Sequence, residues 1–61
     1  MKPRDRAIQI LNQNGYSFER HGKKHDQFYN PELKCTIPLK RHDFDENDLR
    51  YIMKEIKHNG R

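Results

Sequence analysis

The sequence predicts a two-layer α+β domain: helix, three-stranded antiparallel meander, helix, with both helices on one face of the sheet. Three observations predict it. Apolar residues recur at helical spacing near both ends of the chain, as Ala7-Ile8-Ile10-Leu11 and Leu49-Ile52-Met53-Ile56. Between them, Tyr16–His21, His25–Tyr29 and Cys35–Leu39 read as short strands, separated by Gly22-Lys23-Lys24 and by Asn30-Pro31-Glu32-Leu33. Finally, 61 residues with 31% hydrophobic content provide for one modest core in a single domain. Two helix stripes and one sheet face must share it.

The first helix is expected over Met1–Asn14. Pro3 suits the first turn, where its missing N–H costs nothing, and Asp5 favours the positive end of the helix dipole. Gly15 follows as a C-terminal stop. Lys2, Arg4 and Arg6 cluster near the start and are expected to form a solvated end.

Reading Gly22-Lys23-Lys24 as a three-residue hairpin loop sets His21 opposite His25 and Phe18 opposite Phe28. Strand alternation then turns Tyr16, Phe18 and Phe28 to the core. It turns Ser17, Glu19, His21, His25, Gln27 and Tyr29 to the open face. In the third strand Cys35, Ile37 and Leu39 share the face of Phe28. Pro38 lacks an N–H donor, so this strand belongs at a sheet edge or ends there.

The second helix carries the clearest signals. Asp45 is the expected N-cap, with Asp48 at the third helical position completing something close to a capping box. Phe44 and Leu49 occupy the staple positions. Lys54, Lys57 and His58 suit the C-terminal end of the dipole, and Asn59-Gly60 ends the helix. Phe18, Phe28, Ile37, Leu49, Ile52 and Ile56 are expected to share one core. Tyr51 lies opposite the apolar stripe, where it has no core role.

A net charge of +4 with 36% charged residues keeps a small domain in solution and permits a polyanionic partner. The distribution says more. Acidic residues gather at Asp43, Asp45, Glu46 and Asp48, whereas Arg20, Lys23, Lys24, Lys40 and Arg41 flank the histidines. That basic set reads as a phosphate-binding surface, with Lys23 and Lys24 first and Lys40 and Arg41 next. The single Cys35 cannot form an internal disulfide, which favours a reducing compartment and hence the cytoplasm. Among core-facing neighbours, Cys35 reads as a small buried hydrophobe rather than a nucleophile. Met1–Gly15 is interrupted by charge and does not resemble an export signal, and no apolar run is long enough to cross a membrane.

Several chemistries lack their residues. There is no Gly-rich phosphate loop, Gly-x-Ser-x-Gly elbow or carboxylate dyad. His21-x-x-x-His25 has the spacing of a zinc finger's second pair, with His42 as a third ligand, but no Cys-x-x-Cys accompanies it, so no metal is expected. What remains is a histidine beside lysines on an open sheet face. Imidazole titrates near neutrality, so His25 can take a proton from a ribose 2′-hydroxyl or give one to a leaving oxygen. A neighbouring lysine can stabilise charge developing on phosphate. The plainer reading is an exposed histidine within a basic binding surface.

The segment Gly22–Tyr29 (Gly-x-x-His-x-x-Phe-Tyr), then Thr36-Ile37-Pro38, His42 and Asp48-Leu49-Arg50-Tyr51-Ile52-Met53-Lys54-Glu55-Ile56, resembles the HicA family of toxins. Lys2 to Tyr16 matches that family's first helix and its turn into the sheet, so the resemblance spans nearly the whole chain. It implies a double-stranded-RNA-binding-domain-like fold and ribosome-independent cleavage of mRNA without a cofactor. It also implies neutralisation by a HicB antitoxin, the free toxin being a monomer. The family's catalytic histidine maps onto His25. Many members have a shorter Gly-Ser-His run where this chain has Gly22-Lys23-Lys24-His25. No second catalytic residue carries over, and His21 is the candidate accessory across the hairpin. Two functions follow from this reading: a toxin endoribonuclease, or a non-catalytic RNA- or protein-binding module of the same fold.

Overall fold

Two helices bracket a three-stranded antiparallel sheet in a computed structural model that describes residues 1–60. The order is α1 (Pro3–Gln13), β1 (Ser17–His21), β2 (His25–Asn30), β3 (Cys35–Lys40) and α2 (Glu46–Asn59), with β2 central in the sheet. Pro3 opens α1 within its first turn, as its fixed φ and missing N–H favour. Gly15, at φ +90°, closes it. The Tyr16 N–H donates to Leu11 O at 2.9 Å and the Gly15 N–H to Asn12 O at 3.2 Å, the paired bonds of a Schellman motif. Tyr16 and Leu11, the residues that motif brings together, are both fully buried.

At α2 the expected capping box forms. Asp45 Oδ1 accepts from the N–H groups of Asn47 (3.0 Å) and Asp48 (3.1 Å), and Asp48 Oδ2 accepts from the Asp45 N–H (3.0 Å). Phe44 and Leu49, the staple pair, lie partly buried against the core.

That core joins Ala7 and Leu11 of α1, Tyr16, Phe28 of β2, Ile37 and Leu39 of β3, and Ile52 and Ile56 of α2. Both helices therefore cover the same sheet face. β3 lies at an edge, as Pro38 requires. Along β2, Asp26, Phe28 and Asn30 are buried while His25, Gln27 and Tyr29 are only partly so, which is the alternation that faces His25 away from the helices.

Four expectations change. Phe18 pairs with Phe28 as expected, but β1 is an outer strand exposed along its whole length, and Phe18 stays 48% exposed. It meets Phe28 edge-on, ring centroids 6.0 Å apart, without joining the core. Met53 is likewise 48% exposed, because α2 turns Ile52 and Ile56 inward and leaves Met53 beside the stripe. Arg4 is no solvated end: its side chain is half-buried and reaches Asp26 and the Lys40 carbonyl.

The fourth change concerns register. Phe18 pairs with Phe28, but Arg20 pairs with Gln27 and His21 with Asp26, so a bulge at Glu19 adds one residue to β1. His21 therefore stands opposite Asp26 and shares its face. Gly22 comes opposite His25, its N–H donating to His25 O at 2.7 Å, and Lys23-Lys24 form a two-residue tip. A Cβ on Gly22 would come within 2.8 Å of that carbonyl oxygen, so the position needs glycine for close approach.

Candidate nucleic-acid interface

His25 begins β2 and pairs with Lys40 at the end of β3. Cross-strand partners share a face, so the imidazole and the ammonium stem project together from the uncovered side of the sheet. Around them lies a cleft of about 360 Å³. The hairpin contributes Lys23, Lys24 and His25, and the end of β3 with the following link contributes Lys40, Arg41, His42 and Asp43. Asp43, at φ +56°, gives that link its sharp turn, a conformation Asp tolerates better than most residues.

A buried carboxylate holds the cleft's wall. Asp26 accepts from His21 Nδ1 (2.7 Å) and Arg41 Nη1 (2.9 Å) on Oδ1, and from Arg4 Nη2 (2.7 Å) on Oδ2. The His21 hydrogen bond is the largest influence lowering its pKa, burial opposes it, and Arg41 and Arg4 add to it. The net result is about 2, down from 3.8. A carboxylate only accepts, so His21 Nδ1 carries the proton in that bond. Arg41 continues the chain of contacts. Its Nη2 donates to the carbonyls of Gly22 (2.7 Å) and Lys23, and its backbone N–H donates to Lys24 O (3.3 Å). Three successive loop carbonyls thus end on one residue.

The basic residues divide accordingly. Lys23 and Lys24 are exposed at the tip. Lys40 Nζ lies 3.3 Å from Asp48 Oδ2, a half-buried pair. The Asp48 carboxyl sits below its ordinary value, chiefly through the Asp45 N–H and secondarily through Lys40. Arg41, expected as a phosphate contact, instead spends its guanidinium on Asp26 and the loop. His21, expected beside His25, lies on the opposite face with Asp26, its ring 4.8 Å from Phe18.

Sequence reasoning passed over Asp26 and Arg4, although one signal was present. The alternation that buries Phe28 also buries Asp26, and an acid at an inward position needs cationic partners. It also left His42 without a place in the cleft and Tyr51 without a role.

A second, smaller cleft of about 180 Å³ adjoins the first, sharing His25 and Lys40 with it and adding Pro38, Phe44, Asp48, Tyr51 and Ile52. Among the described residues no group of three or more His, Cys, Asp or Glu side chains is placed to hold a metal ion, and no helix is long and apolar enough to cross a membrane. Comparison of the chain with protein-family models, with curated proteins and with solved structures finds no match. The functional reading therefore stands on the geometry and on the sequence resemblance.

Proposed function

We propose that the chain is a HicA-like toxin of double-stranded-RNA-binding-domain type, a metal-independent endoribonuclease of the cytoplasm that cuts mRNA and is neutralised by a HicB-like antitoxin. One observation carries the reading: His25 lies within a cleft whose other walls are mostly cationic. A polyanion is drawn to such a surface, and an imidazole there meets the sugar–phosphate backbone.

The chemistry is transesterification. One imidazole takes the proton from a ribose 2′-hydroxyl, the 2′-oxygen attacks phosphorus, and the P–O5′ bond breaks. A second group delivers a proton to the departing 5′-oxygen. The products are a 2′,3′-cyclic phosphate and a 5′-hydroxyl, and Lys23, Lys24 and Lys40 stabilise charge on the phosphoryl oxygens. His25 is one proton carrier. His42, the other imidazole lining the cleft, is the second.

The test is purified protein on a defined single-stranded RNA, wild type beside His25→Ala. Cleavage to cyclic-phosphate ends by wild type, unchanged by chelator and lost in a folded His25→Ala protein, is the expected result. Undiminished cleavage by His25→Ala would overturn the mechanism. RNA binding without cleavage by wild type would mark a non-catalytic module.

A further inference from the structure

We infer that the smaller cleft beside His25 is a subsite for one unpaired nucleobase, which stacks on Tyr51. The inference rests on the ribonuclease reading for the identity of the strand and adds where a base would sit. The two clefts share His25 and Lys40, so a backbone held in the basic cleft runs directly to the rim of the smaller one.

The smaller cleft keeps His25, Lys40 and Asp48 among its walls and adds an aromatic side. Pro38 from the open sheet face, Phe44 from the link and Tyr51 from α2 line it with apolar and aromatic surface. Tyr51 lines the cleft together with Ile52 but is 54% exposed and, unlike Ile52 and Ile56, stands outside the core, so core packing does not account for it. The Asp48 carboxylate in the cleft's lining already accepts from Lys40 Nζ and the Asp45 N–H. Its negative charge disfavours a phosphate at that spot and leaves a neutral base unopposed. A flat base with an apolar face, offered only by a splayed single strand, fits these walls.

Binding of a fluorescent 2′-O-methyl oligoribonucleotide, which lacks the nucleophilic hydroxyl, measures this with the otherwise unaltered chain. By the usual strength of base–aromatic stacking, Tyr51→Ala should weaken binding about 5- to 150-fold, while Tyr51→Phe keeps the parent affinity. An oligonucleotide series with one abasic position should show a single position whose loss matches that of Tyr51→Ala. That position should cause no further loss in the Tyr51→Ala protein. Unchanged affinity in a folded Tyr51→Ala protein, or abasic losses that add to it at every position, would overturn the subsite alone if the wild type still cleaves RNA. A wild type that neither binds nor cleaves RNA would overturn the ribonuclease reading and the subsite with it.

Discussion

Arg41 Nη1 donates to Asp26 Oδ1 at 2.9 Å, and through that contact a buried carboxylate on β2 governs a loop it does not touch. The guanidinium so anchored holds the carbonyls of Gly22 and Lys23, fixing the tip beside His25. Arg4 brings α1 into the same arrangement by donating to both Asp26 Oδ2 and Lys40 O. Four separate stretches of chain therefore meet at Asp26, and its ionisation should be felt in stability.

The sign follows from the depressed pKa. Asp26 ionises at about 2 in the folded chain against an ordinary 3.8, so its stabilisation is complete above pH 4 and is lost as pH falls towards 2. The shift corresponds to about 2 kcal/mol. Urea unfolding at pH 6 and pH 2.5 checks this. Asp26→Asn should be less stable than wild type at pH 6 and should lose less on acidification. Asp48, also depressed, supplies part of the acid sensitivity that remains.

Core and edge positions should respond very differently to truncation. Ile52 is 2% exposed between α2 and the sheet, so Ile52→Ala should cost about 2–5 kcal/mol. Phe18→Ala removes a larger side chain that is half in solvent, and should cost less than Ile52→Ala despite its size. Denaturant midpoints of the two variants decide the matter. A larger loss at Phe18 would mean that β1 is covered in solution.

This contrast also shows what the residues reveal before folding. Local chemistry was legible: the Asp45–Asp48 capping box, the Gly15 stop, the Pro38 edge and the outward turn of His25 all follow from spacing and turn residues. Register was not. Nothing in Ser17–His21 marks Glu19 as a bulge, because a bulge is fixed by how two strands settle together, and that one extra residue moved His21 to the other face. Sequence ranked Lys23 ahead of Arg41 as a phosphate contact but gave Arg41 no other role. Both are basic and close to His25 in the fold, but only the structure shows that the Arg41 guanidinium is bound inward.

That difference predicts two kinds of loss on RNA. Replacing exposed Lys23 or Lys24 by alanine should weaken binding for all sequences alike and reduce the slope of log affinity against log salt by about one unit each. Arg41→Ala should act mainly through the loop: lower stability, with a smaller change of slope than Lys23→Ala. Titrations at several salt concentrations separate them. An unchanged slope in the Lys23/Lys24 double variant would remove the tip from the binding surface.

The two cleft histidines can be told apart by the leaving group. A 5′-bridging phosphorothiolate RNA departs as a thiolate, which needs no proton, so loss of the general acid should matter little on it. On ordinary RNA both His25→Ala and His42→Ala should lose cleavage by about 10²–10⁴-fold. On the thio substrate one of them should recover most of the wild-type rate and the other should not, naming acid and base respectively. His21→Ala should retain the wild-type preference between the substrates, because its ring lies with Asp26 on the other face. Folding of each variant is checked by its denaturant midpoint, since a merely structural loss slows both substrates equally. Full activity in His42→Ala, or equal recovery of both variants on the thio substrate, would end the two-histidine mechanism.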